Sequence, residues 1–276
     1  MSHNILVTGG SGYLGGTLLA RWSSAKLPTY HKLYALVRTE EQKEAVKAYG
    51  AEPLTFDTKD VASTRTAIIE NKITIVYYLI DAMTADTQVK IIEALAEVKK
   101  QTGKDVHFLQ TSGAKLFSSH AGIQTDPPVA DNDSGLYDLQ KRSHARWEPV
   151  GKAVNTNNTI IETALRYGVK SYIFIPCLVY GKGEGFGNKI SIQTVAIVNC
   201  AKKLGQVYRP DAENYVCSNL LVHLIYSLTS QVLACLPCCR HCKIVSGNHS
   251  EHIVRQGNRQ WKERLLSCSE WYCRLE

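Results

Sequence analysis

No apolar run in this 276-residue chain is suited to crossing a membrane: the longest, residues 220–236, is broken by His223 and Gln231. It falls short of the roughly 20 residues that span a bilayer. No leader is expected either, because Met1-Ser2-His3-Asn4 passes directly into an apolar β-like run with no charged n-region or apolar h-region. A soluble, cytoplasmic protein with no membrane partner is the expectation. The net charge of +7 is not gathered into any block of five or six like charges. Scattered Lys and Arg make a solvated basic surface, so no nucleic-acid partner is expected. Nine cysteines would suffice for a disulfide framework, but an intracellular setting keeps thiols reduced.

What is present is alternation. Asn4-Ile5-Leu6-Val7-Thr8, Leu33 to Val37, Pro53 to Asp57, Thr74 to Ile80, Val106 to Thr111 and Ser171 to Ile175 read as short buried strands. Helical segments fall between them, near residues 12–23, 40–49, 63–71 and 88–100, with a further helix over residues 160–167 stopped by Gly168. This order predicts an α/β fold of the Rossmann type, a doubly wound parallel sheet with helices on both faces.

The first strand runs into Thr8-Gly9-Gly10-Ser11-Gly12-Tyr13-Leu14-Gly15-Gly16. Glycines at this spacing allow a sharp strand-to-helix turn, backbone approach to a pyrophosphate, and close helix–strand packing. The phosphates would lie at the helix N-terminus, where N–H groups and the dipole favour an anion. Gly9, Gly12, Tyr13, Leu14 and Gly15 are therefore the expected cofactor contacts. The second strand ends in Val37-Arg38-Thr39, without the acid that an NAD site places on the ribose hydroxyl. Arg38 suits a 2′-phosphate and hence NADP over NAD; alternatively Glu40 or Glu41 is the ribose ligand. Asp57 is either an acceptor for the adenine amino group or an ordinary turn aspartate.

The glycine turn, Phe56-Asp57, Thr111-Ser112-Gly113 and Pro176-Cys177-Leu178-Val179-Tyr180-Gly181 give residues 4–217 a resemblance. The chain resembles the extended and atypical short-chain dehydrogenases/reductases, relatives of the epimerase/dehydratase type. In that family a Tyr-x-x-x-Lys pair and a Ser or Thr manage the proton of the substrate oxygen. The resemblance assigns these roles to Tyr137, Lys141 and Ser112. It implies an NADP(H)-dependent oxidoreductase or epimerase acting on a small carbonyl, hydroxyl or sugar-like metabolite, with homodimer formation left open. The interval from Lys141 to Pro176 is longer than the family's; counting back from Pro176 reaches Glu148 and Lys152, with no tyrosine there. Either an insertion around residues 146–158 separates the motif from the sixth strand, or Tyr137 is a loop residue and the site is degenerate. A catalytically silent nucleotide-binding regulator and a truncated inactive family member are the alternatives.

Beyond Cys217 the composition changes. Residues 218–276 contain no aspartate and carry Cys235, Cys238, Cys239, Cys242, Cys268 and Cys273. Four of these thiols lie within eight positions, too close to surround a structural zinc, so no metal is expected. The division expected is an NADP-binding domain with part of the substrate-binding region at 1–217, then a divergent segment at 218–276 that adds nothing to the Rossmann core.

Overall fold

The computed structural model describes residues 2–25, 27–124, 129 and 133–207, together with the backbone of Arg264–Leu266. Its strands are β1 (Asn4–Val7), β2 (Lys32–Leu36), β3 (Glu52–Leu54), β4 (Ile75–Tyr78), β5 (His107–Thr111), β6 (Lys170–Phe174) and β7 (Arg264–Leu266). The helices are α1 (Tyr13–Arg21), α2 (Glu40–Lys47), α3 (Val61–Glu70), α4 (Asp86–Thr102), α5 (Leu136–Lys141), α6 (Glu148–Tyr167) and α7 (Ile192–Leu204). All seven strands form one parallel sheet in the order β3-β2-β1-β4-β5-β6-β7. The order reverses direction between β1 and β4, the point at which a doubly wound sheet opens a crevice at its carboxyl edge.

Alternation along the strands builds two cores. Ile5 and Val7 of β1 pack on one face with Leu18, Leu19 and Trp22 of the first helical segment, while Leu6 points to the other. That second face takes Val76, Tyr78 and Phe108, covered by Ile68 of α3, Ile91, Ile92 and Leu95 of α4, and Ile160 and Ile161 of α6. The helical residues recur three and four apart, which keeps them on one stripe. Each such side chain removed from water contributes about 1.5–3 kcal/mol before conformational entropy is subtracted. Gly103 and Gly168, both in the left-handed region, end α4 and α6, and Pro149 opens α6, where its missing N–H costs no hydrogen bond.

Two sequence expectations are corrected here. From Glu148 onward, residues 146–158 are the first half of α6, a single helix of 20 residues leading directly to β6. Tyr137 is accordingly not a loop residue but part of a separate short helix, α5, packed ahead of α6. The segment after Cys217 does reach the sheet: Arg264, Leu265 and Leu266 pair in parallel with Tyr172, Ile173 and Phe174 of β6. The clustered cysteines lie outside the described residues. Among the described residues no helix is long and apolar enough to cross a membrane.

Candidate functional site

The glycine turn joins β1 to α1 at the carboxyl edge of the sheet. Thr8 ties β1 to β4 here, its N–H donating to the Tyr77 carbonyl at 2.9 Å and its hydroxyl oxygen accepting from the Leu79 N–H at 3.1 Å. Gly9 adopts φ 68°, a conformation that strains any L-residue. A Cβ on Gly15 would strike the Gly9 carbonyl, so glycine at 15 is what lets α1 lie on the turn. Gly12 N–H donates to Gly9 O at 2.8 Å and Gly16 N–H to Gly12 O at 2.9 Å. Gly12, the N-cap of α1, offers no side-chain cap, and the first turn carries no acid. The opening N–H groups of Tyr13, Leu14 and Gly15 thus have no intrahelical acceptor and form an anion-binding end.

Arg38 follows β2 with its backbone fixed: its N–H donates to Gln42 Oε1 at 2.9 Å, and Thr39 caps α2 through Gln42 N–H. Its side chain is exposed, and among the described residues the guanidinium enters no ion pair. The acids beside it are engaged. Glu40 pairs with Lys43 at 2.7 Å, and a hydrogen bond from Thr39 holds the Glu41 carboxyl below its ordinary range. Asp57 is exposed after β3, with one carboxylate oxygen accepting from Lys59 N–H at 2.9 Å. That bond makes it a turn aspartate while leaving its second oxygen for a ligand.

Ser112 stands just past the end of β5, its N–H donating to Phe174 O at 2.8 Å. Its hydroxyl is buried and has no hydrogen-bond partner among the described residues, an arrangement that costs stability unless a ligand or water completes it. Tyr137 and Lys141 do come together, as four-residue spacing on a helix requires, but around Glu162. The Tyr137 hydroxyl donates to Glu162 Oε1 at 3.1 Å and Lys141 Nζ sits 2.7 Å from the same oxygen. Lys141 first, with help from Tyr137, keeps the Glu162 carboxyl below its ordinary value. Glu162 is on the exposed side of α6, whereas Ile160, Ile161 and Ala164 face the core. It lies five residues before the end of α6, about 8 Å along the helix axis. Phe174, level with Ser112, lies about 13 Å up β6. The tyrosine–lysine pair is therefore gathered around Glu162 of α6, with the Tyr137 ring packed against the core.

What reaches Ser112's edge from α6 is its N-terminus. Lys115, three residues after Ser112, places Nζ 5.3 Å from the ring centre of Trp147, the N-cap of α6, and the next turn bears the ion pair Glu148–Lys152 at 2.8 Å. Counting back from Pro176 reaches this pair in the sequence, and the continuous helix places it in the first turns of α6, the helix that leads into β6.

Several solved structures are similar to this chain at low identity. A leucoanthocyanidin reductase of Vitis vinifera in complex with NADPH is 17% identical, with a TM-score of 0.37, 62% of this chain and 47% of that one being covered. For AtPrR2 with NADP+ and (+)pinoresinol the values are 16%, 0.40, 64% and 50%, and for a UDP-glucose 4-epimerase of Thermotoga maritima with UDP-glucose they are 17%, 0.48, 74% and 64%. The chain thus spans about half the length of the first two. No curated protein matches the sequence. A family model does match, over residues 5–209, from β1 through α7 and so including the glycine turn, Ser112 and the Pro176 segment. The chain belongs to the NAD dependent epimerase/dehydratase family.

Proposed function

We propose that the chain binds NADP(H) at the glycine turn and acts as an oxidoreductase or epimerase/dehydratase-like enzyme on a small carbonyl, hydroxyl or sugar-like metabolite. The observation that carries the reading is an uncapped, acid-free α1 N-terminus together with Arg38, which follows the strand next to β1, is exposed, and has a guanidinium that enters no ion pair among the described residues. The residues fit the cofactor: the turn has room only for backbone where a pyrophosphate would approach, and Arg38 matches the oxygens of a 2′-phosphate. NADP(H), when bound, is the hydride donor or acceptor. Ser112 would orient the substrate oxygen with its unpartnered hydroxyl, and Tyr137, assisted by Lys141, would exchange that oxygen's proton once released from Glu162. These residues all lie within 1–217, the part assigned to nucleotide and substrate.

Titration of the purified chain with NADP(H) and NAD(H) tests the cofactor reading. NADP(H) is expected to bind about 10- to 100-fold more tightly, the scale of a charge-assisted phosphate contact, and Arg38→Ala is expected to erase the difference. Equal affinities in the parent would sink it. A second reading, a catalytically silent NADP(H)-binding regulator, is favoured by the engagement of Tyr137 and Lys141 with Glu162 and by Glu148 and Lys152 on the helix that enters β6. Cofactor affinity without turnover of any carbonyl or hydroxyl substrate, in a screen followed by NADPH absorbance, would select it.

A further inference from the structure

We propose that the loop of residues 181–190 is the second wall of the nucleotide site, holding the glycine turn in its phosphate-binding shape, with Glu184 as the latch. The inference rests on the nucleotide reading above and adds residues to it from the far end of the sheet. The loop leaves the segment after β6 and folds on itself, Lys182 bridging Ile190 and Gly183 N–H donating to Lys189 O at 2.9 Å. It then lies along the turn and α1. The Tyr13 hydroxyl donates to Gly181 O at 3.0 Å, and Glu184 N–H donates to Thr17 Oγ1 at 3.2 Å. Arg21 grips the Glu184 carboxylate with two nitrogens, at 3.0 and 2.7 Å. Phe186 stacks on Tyr49 with ring centres 6.2 Å apart.

One contact falls on the phosphate-binding backbone itself. Asn188 N–H donates to Ser11 O at 2.9 Å, while the other end of the same peptide, Gly12 N–H, donates to Gly9 O at 2.8 Å. A planar peptide held at both ends has no remaining rotation. The next carbonyl, Gly12 O, is taken by Gly16 N–H, so the Tyr13 and Leu14 N–H groups that follow are aimed before any ligand arrives. The fit is backbone on backbone. A Cβ on Gly187 would enter the Ser11 carbonyl, and one on Gly185 would enter Gly16. Glycines at 183, 185 and 187 thus serve contact with Tyr13, Gly16 and Ser11. Burial beneath the loop also raises the Tyr13 hydroxyl to about 12, keeping it a donor to Gly181. Donors aimed in advance bind more tightly than donors that must be ordered by the ligand.

The test uses the full chain and three variants: Glu184→Gln to open the latch, Gly187→Ala to displace the loop from Ser11, and Glu97→Gln to break the Arg65–Glu97 pair elsewhere on the surface. NADP(H) affinity is read by titration, and amide hydrogen exchange by mass spectrometry without nucleotide. Glu184→Gln is expected to weaken NADP(H) roughly fivefold, the scale of a partly exposed ion pair. Gly187→Ala is expected to weaken it on the order of tenfold or more. Both are expected to speed exchange in peptides covering 9–16 as well as 181–190, and Glu97→Gln to change neither readout. Affinity as in the parent for Glu184→Gln and Gly187→Ala, or faster exchange confined to 181–190, overturns the proposal. A parent that binds no NADP(H) overturns the nucleotide reading instead, an outcome the titration separates from failure of the latch.

Discussion

A phenol transfers a proton only where its oxygen can reach a reacting atom, and in this structure the Tyr137 oxygen reaches Glu162. Tyr137→Phe therefore separates two roles. If the residue serves catalysis, turnover is lost while NADP(H) affinity stays within about twofold. If it serves the α5–α6 junction, turnover persists and denaturant titration shows a loss of about 0.5–1.5 kcal/mol for one hydrogen bond. The local shape around single residues was legible in the sequence where it depends on chain neighbours: the glycine turn needs only residues 9–16, and the exposure of Arg38 only its place after β2. It was not legible for Tyr137 and Lys141, because their partner Glu162 lies on another helix and spacing alone cannot say which face that helix presents. The 181–190 loop was opaque for the same reason. Its alternating glycines stand in plain view in the sequence, but the surface they fit is about 170 residues away.

At the scale of elements, strong hydrophobic periodicity made α4 and the central strands readable, and glycine marked the ends of α4 and α6. The first half of α6 was missed because Asn155-Thr156-Asn157-Asn158-Thr159 is a poor helix-forming run with no apolar stripe. Tertiary contact supplies what propensity withholds. From α5 the buried Gln140 donates through Nε2 to Asn158 Oδ1 at 2.9 Å and accepts from Asn157 Nδ2 at 3.1 Å. One side chain thus fastens the polar middle of α6 to the helix before it. Gln140→Ala is expected to destabilise the protein by about 2 kcal/mol or more, since it strands the fully buried Asn157 amide. An unchanged urea midpoint with an unchanged slope would show that α6 needs no such fastening.

Across the whole molecule, the amino edge of the sheet is built differently from the carboxyl edge. His107 of β5 contacts Tyr172 of β6 through Nδ1 at 3.1 Å and meets His3 edge-on at 5.7 Å, and His3 bonds Thr74 at 3.0 Å before β4. Burial, then the charges of Lys170 and His3, push His107 down to about 4 from 6.5. The folded protein therefore binds fewer protons here than the unfolded chain. Stability from this group is complete above pH 6.5 and is lost as pH falls toward 4. With allowance for partial hydration the loss is about 2 kcal/mol. Urea titrations at stepped pH should show that slope, and His107→Gln should flatten it; an undiminished slope in the variant would place the titration elsewhere. At the opposite flank the last strand imposes an order on synthesis. About ninety residues separate Phe174 at the end of β6 from Arg264 at the start of β7, and a ribosome takes on the order of ten seconds to supply them. For that interval β6 is a growing chain's outermost strand, its backbone N–H and C=O groups open to any extended peptide nearby. A nascent chain arrested before residue 264 should accordingly recruit holdase chaperones that the completed chain releases.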